Sequence, residues 1–363
     1  MNKKLVAAAL GLAFAAPVFA DSSNVTLYGR VHQAVDHQSF DDNGDKTGGN
    51  IALEDVSSRF GIKGQEDLGG GLSLVFGYEF SVAGDSNAGV GGRHSYLGFK
   101  GAWGTFVAGK QDGGNETVAP LYTQASLTGG VSNQGGPLTT IGGGSAVFSD
   151  TVAIQRVQRL DNSFGYKTNI AGVSIEARHA LTGTNNNFNN DAPAAGIKEN
   201  GTRQTEVAAT YKLGALTIGG GLQAFDQQAE DPTTAASPER TIQGVAAYNF
   251  GAFTLAGLVA QTSLYGTNTA NGEDSNTEYL LSATFPLTAN SGLFGSYSDS
   301  ERNNLIGEAA EVNQAQIAYY YDLSKRTRTY VGFNRAENEI VAGADTGDKF
   351  EQDNFTIGLR HNF

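Results

Sequence analysis

The chain of 363 residues has no cysteine, a single tryptophan and a single methionine. Without thiols it can build no disulfide scaffold in an oxidising compartment and can run no thiolate chemistry. Apart from residues 5–16, no apolar run approaches the roughly 20 residues that a membrane helix needs. Mean hydropathy is −0.27, which by itself would suggest a soluble protein. Basic residues are also scarce, with 24 Lys and Arg against 37 Asp and Glu and a net charge of −13. No basic stripe is available for phosphate, so nucleic acid is not an expected partner. The five histidines, His32, His37, His94, His179 and His361, show no metal-site spacing, and no Gly-x-Ser-x-Gly elbow joins a strand to a helix. The run Asp41-Asp42-Asn43-Gly44-Asp45 opens like a calcium loop, but Ala52 stands where the bidentate Glu is required. It reads as an acidic loop with, at most, a weak divalent site. Gly89 to Gly92 opens no helix after a strand and is turn chemistry. No cofactor, metal or catalytic group is therefore expected.

What the sequence does contain is a leader and a periodicity. Lys3 and Lys4, the apolar residues 5–16 and the small residues around Ala20 form an export signal, so residues 1–20 are expected to be removed and 21–363 to form one domain. Loss of the two lysines takes the net charge from −13 to −15. The 49 glycines, 20 phenylalanines and 14 tyrosines favour strands and tight turns over helices. In residues 354–363, Phe355, Ile357, Leu359, His361 and Phe363 alternate with Thr356, Gly358, Arg360 and Asn362. That is a strand with one apolar and one polar face, and it ends in mid-alternation. Pairing it with the first such strand, 25–36, closes a sheet with no free edge.

Sixteen such segments can be read along the chain, predicting an all-β, 16-stranded antiparallel transmembrane β-barrel. Hydropathy misses such proteins because half of each strand faces water. Short turns, as at Gly214-Ala215 and Gly251-Ala252, would form one rim. Long polar connections at 39–50, 183–201, 227–239, 265–276, 301–311 and 338–352 would form the other. The even strand count leaves both termini on the same side. A barrel this wide cannot be filled by side chains and encloses water. Aromatic residues near strand ends, such as Phe250, Phe253, Phe285, Tyr319 and Tyr321, match interfacial girdles.

The connection at about 112–152 is the longest and is expected to fold into the lumen, narrowing it. Facing it, Arg30, Arg59, Arg93 and Arg159 fall on polar phases, with Lys63, Lys110 and Arg178 as further inward candidates. Strict counting leaves two conflicts: Leu97 shares the phase of Arg93, and Phe106 and Ala108 share that of Lys110. Arginines clustered on one wall create a transverse field that biases ion passage.

Leu27-Tyr28-Gly29, the stretch from Ser58 to Leu72, Gly109-Lys110-Gln111, Arg159-Leu160-Asp161-Asn162-Ser163, the stretch from Tyr321 to Thr327 and the terminal Gly358 to Phe363 together resemble the trimeric general porins of Gram-negative outer membranes, of the β-proteobacterial and neisserial type. The resemblance spans the whole mature chain. It implies a homotrimer in the outer membrane, in contact with lipid and lipopolysaccharide, and a third loop in the pore. It also implies a terminal Phe363 read by the outer-membrane assembly machinery. Arg30, Arg59, Arg93 and Arg159 are the implied constriction set, with Lys110 where the family commonly has Arg. The third loop is poor in carboxylates, with only Asp112 and Glu116 near its start, which leans toward anion preference. The function implied is passive diffusion of ions and small hydrophilic solutes. A substrate-specific channel with a saturable site in the neck is the alternative, and a barrel hydrolase is a weaker third.

Overall fold

The computed structural model describes residues 24–84, 89–112, 159–181, 203–226, 237–265, 275–303, 309–342 and 346–363. These residues form strands and turns with no helix. The first strands are β1 (Asn24–Asp42), β2 (Asp45–Asp55), β3 (Arg59–Gly69), β4 (Leu72–Ser81), β5 (Gly91–Gly101) and β6 (Gly104–Asp112). Next come β7 (Arg159–Ile170), β8 (Val173–Ala180), β9 (Arg203–Leu213), β10 (Leu216–Asp226) and β11 (Ser237–Asn249). The chain ends with β12 (Thr254–Tyr265), β13 (Ser275–Thr288), β14 (Ser291–Asn303), β15 (Ala309–Asp322), β16 (Thr327–Ala342) and β17 (Lys349–Asn362).

First and last strands pair, as the unfinished alternation at the C-terminus requires. β1 and β17 run antiparallel from Arg30 opposite Asn362 to Asp42 opposite Phe350. Gly29 and Phe363 then exchange both backbone hydrogen bonds, at 3.0 and 3.1 Å. The Phe363 ring lies over Gly29 so closely that a Cβ there would collide with it. The other edge of β1 is shared: its upper part, from Gln33 to Asp42, pairs with β2, and its start, from Asn24 to Arg30, pairs with β3. β2 and β3 are therefore two halves of one wall strand, broken at Val56–Ser58. Seventeen segments make a closed antiparallel barrel of sixteen strands.

Period-2 alternation sets the two faces. Val31, Ile357 and Leu359 point outward at 51–53% exposure, while His32, Asp36 and Thr356, one residue out of phase, are at most 2% exposed. Outside, aromatic rings gather near the short turns: Phe250, Phe253 and Phe285 stack in a row with centroids 4.7 and 5.1 Å apart, and Trp103 stacks on Tyr166. Such rings suit the headgroup level of a bilayer. Inside, Gly358 leaves room for the ring of Tyr330, with which a Cβ would collide. The Tyr330 hydroxyl meets His32 Nε2 at 2.9 Å. His32 is buried in this pair, and Asp36 accepts a hydrogen bond from Thr356.

One expected connection is corrected. Residues 39–50 are not a long acidic loop but the upper part of a hairpin between β1 and β2. Its turn is Asn43-Gly44, with φ of 52° and 91°, the positive values that a two-residue hairpin turn demands and Asn-Gly supplies. The acidic residues there belong to strands that rise above the apolar band. Asp41 accepts from the Gly44 amide at 2.7 Å, and no group of three potential metal ligands is found among the described residues. The connections at 301–311 and 338–352 are likewise shortened, by β14, β15, β16 and β17 running further than expected.

Candidate functional site

The inward side chains of β1 to β7 bring together most of the residues singled out from the sequence. Arg59 on β3 stands directly opposite Arg30 on β1, so their Cβ atoms are about 5 Å apart. The strand break just before Arg59 is held by local hydrogen bonds. Ser57 has a φ of 62°, the Ser58 amide donates to Asp55 Oδ1 at 2.7 Å, and the His32 amide donates to Ser58 Oγ at 2.9 Å. The break thus loses its ladder without losing its hydrogen bonds.

One β-bulge settles the phase of Arg93, and a second faces Lys110. Glu79 pairs with His94 but the next residue, Phe80, pairs with Gly92, leaving Arg93 as the extra residue of β5. An extra residue shifts the alternation by one. Arg93 and His94 therefore both reach the lumen although Leu97 points to lipid: Arg93 Nε donates to Glu79 Oε1 at 2.6 Å, and His94 Nε2 lies 2.8 Å from Asp112 Oδ1. Between β6 and β7 the register steps from Gly109 opposite Ser163 to Gln111 opposite Leu160, which leaves two residues of β7, Asp161 and Asn162, facing Lys110. Lys110 Nζ sits 2.9 Å from Asp161 Oδ1. Gly109, with φ of 127°, and Asn162, with φ of 47°, carry the backbone through this step. Lys110 and Ser95 pair across β5 and β6, so both bulges lie close together on one stretch of wall.

Asp112 ends β6 opposite Arg159, the first residue of β7. Its Oδ1 lies 3.8 Å from Arg159 Nη1. Residues 113–158, where a loop was expected to fold inward and where Glu116 lies, fall outside the described residues. Arg178, another inward candidate, is paired with Glu176 on its own strand, and Lys63 sits 5.0 Å over the ring of Tyr28.

Sequence reasoning missed several partners. Glu79 and Arg360 were legible, since each lies on the polar phase of a well-patterned strand. His94 was legible too, since it lies on the phase opposite Leu97, whereas Asp161 was not, because it lies in the bulge of β7. Arg360 faces the lumen opposite His32 on β1 and opposite Arg328 on β16. Eight strands round the barrel, the inner wall is mainly amide and hydroxyl: Gln204, Gln223, Thr241, Gln243 and Thr262 are buried there, and Glu206 accepts from Gln204 and Gln223 at 2.7 Å each. One side of the interior is thus rich in guanidinium groups, which stay charged at any working pH, and the facing side is largely neutral.

A family model described as Gram-negative porin matches residues 6–341. The chain belongs to the Gram-negative porin family. This porin is 27% identical over 387 residues to the major outer membrane protein P.IB of Neisseria meningitidis, with all of both chains covered. It is 27% identical over 379 residues to outer membrane porin protein 32 of Delftia acidovorans, again over the full length of both. Among solved structures it resembles an anion-selective porin from Comamonas acidovorans, at 25% identity and a TM-score of 0.70, covering 94% of this chain and all of that one. The porin is a channel of the outer membrane and not an enzyme.

Proposed function

We propose that this porin is a water-filled, anion-preferring channel for passive diffusion of ions and small hydrophilic solutes. The observation that carries the reading is the row of inward arginines, Arg30, Arg59, Arg93, Arg159 and Arg360, facing a wall of amides and hydroxyls. Guanidinium charge beside a narrow aqueous path concentrates anions and repels cations over about 8–10 Å at physiological salt. The anion-selective porin of Comamonas acidovorans, similar over its full length, supports the same sign.

In this reading residues 1–20 are cleaved on export, and the loop after Asp112, with Glu116, narrows the pore opposite the arginines. The mature barrel assembles as a homotrimer surrounded by outer-membrane lipid and lipopolysaccharide. Phe363, at the seam of the barrel, is the feature that the assembly machinery reads. Planar-bilayer recording of refolded protein tests this. Conductance steps in threes, rising linearly with salt concentration, with a reversal potential biased toward chloride, are expected. Flux that saturates with one solute would favour the substrate-specific alternative. Well-folded protein that conducts nothing would contradict an open pore.

A further inference from the structure

The inward basic residues are not equivalent, because some have a carboxylate of their own and some do not. Arg93 is paired with Glu79 at 2.6 Å, Lys110 with Asp161 at 2.9 Å and Arg159 with Asp112 at 3.8 Å. Each of these adds little net charge to the lumen, since a cation and an anion a few ångströms apart act on a passing ion as a dipole.

Arg30, Arg59 and Arg360 differ. Among the described residues Arg30 donates to the neutral amide oxygen of Asn362, at 3.1 Å, and has no ion pair. Arg59 has no carboxylate within ion-pair distance among the described residues, and Glu79 and Asp112 reach it only at longer range. Arg360 stands opposite Arg328, and the nearby carboxylate, Asp322, is held by both nitrogens of an Arg328 fork at 2.6 and 2.8 Å. Arg328 is further engaged by the Tyr320 ring at 4.0 Å. Among the described residues Arg360 has no ion pair of its own, Asp322 reaching it only at longer range, and its Nε is buried with no hydrogen-bond partner. His32, directly opposite it, is occupied by Tyr330. The three guanidiniums lie on β3, β1 and β17, which neighbour one another across the closing seam of the barrel.

We infer that Arg30, Arg59 and Arg360 set the ion selectivity of this porin, with Arg360 as a specificity-determining residue contributed by the last strand. Arg93, Lys110 and Arg159 chiefly hold the bulged wall in shape by pairing with their carboxylates. The inference rests on the anion-preferring reading given above and adds which charges produce it. Removing a whole pair leaves the net field unchanged, whereas removing one unpaired guanidinium lowers it by a full charge.

The test is the chloride-to-potassium permeability ratio, taken from reversal potentials across a potassium chloride gradient. The proteins are the wild type, Arg360→Gln, Arg360→Lys, Arg30→Gln, Glu79→Gln and the double variant Arg93→Gln with Glu79→Gln. Each is first checked for the folded-barrel mobility shift in unheated gels. Arg360→Gln and Arg30→Gln are expected to lower the ratio by about two- to three-fold, the combined effect on anion and cation of one charge at roughly 7 Å in water, screened at physiological salt. Arg360→Lys is expected to keep it, Glu79→Gln to raise it, and the double variant to leave it near wild type. If the double variant abolishes the preference while Arg360→Gln and Arg30→Gln leave it intact, the assignment is overturned but the anion-preferring reading stands. If the wild type itself shows no preference for chloride, that reading fails first.

Discussion

Two halves of the barrel wall use the same strand grammar differently. From β8 to β17 the ladders are continuous, and register shifts fall only near strand ends, at Pro238, Pro286 and Ala309. From β2 to β7 the ladder is broken at Val56–Ser58 and bulged at Arg93 on β5 and at Asp161-Asn162 on β7, opposite Lys110. The regular half places mostly amides and hydroxyls inward, with the carboxylates Glu206 and Glu278 and, on the last strand, Arg360. The irregular half places cations and their carboxylates there. A strict period of 2 can turn only every second residue inward, so two adjacent polar residues such as Arg93 and His94 can share the lumen only where an extra residue is inserted. In this barrel the irregular positions are charged, while Arg30 and Arg360 reach the lumen on regular alternation.

That contrast can be broken first at the seam that joins the two halves. Replacing Gly29 by Leu drives a side chain into the ring of Phe363. It is expected to give the largest effect, a severe loss of folded barrel in unheated gels, because it displaces the backbone pair that closes the cylinder. Gly358→Ala, which puts a methyl group into the Tyr330 ring, is expected to cost about 1–3 kcal/mol as overpacking. Its denaturant midpoint should fall accordingly.

A smaller effect is expected for Tyr330→Phe, which leaves buried His32 Nε2 without its partner at a cost of about 1–3 kcal/mol. Urea unfolding followed by tryptophan fluorescence of Trp103 would measure it, and no change would mean that water replaces the hydroxyl. Smallest of these is Asn162→Val in the bulged half. A β-branched residue forced to a φ of 47° should destabilise by about 1–2 kcal/mol. It should also loosen the pairing of Lys110 with Asp161, which would show as added noise in the open-channel current. A silent Asn162→Val would mean that the bulge on β7 is not held by its backbone conformation.

The barrel was largely legible in the sequence. Phe355, Ile357, Leu359 and Phe363 announce a strand that needs a partner, and β1 provides it. Glu79 and Arg360 could be placed by phase alone. The bulges could not, because a single inserted residue leaves no mark in composition and contradicts the alternation on one side of itself, as Leu97 does for Arg93. Nor could the hairpin at Asn43-Gly44 be separated from a loop by polarity: above the apolar band both faces of a strand are polar, and the Asn-Gly pair was the only turn signal. The buried pairing of His32 with Tyr330 joins residues 298 apart in the chain, and depends on the register across the seam.

The most direct test of the claim that a bulge turns Arg93 inward uses the absence of cysteine from the chain. Single variants Arg93→Cys and Leu97→Cys are recorded in planar bilayers while a negatively charged, membrane-impermeant thiol reagent is added. Modification of Arg93→Cys is expected to lower the conductance and the chloride preference of open channels, while Leu97→Cys stays silent. If Leu97→Cys responds and Arg93→Cys does not, the alternation runs straight through this wall and the account of its charged face is wrong.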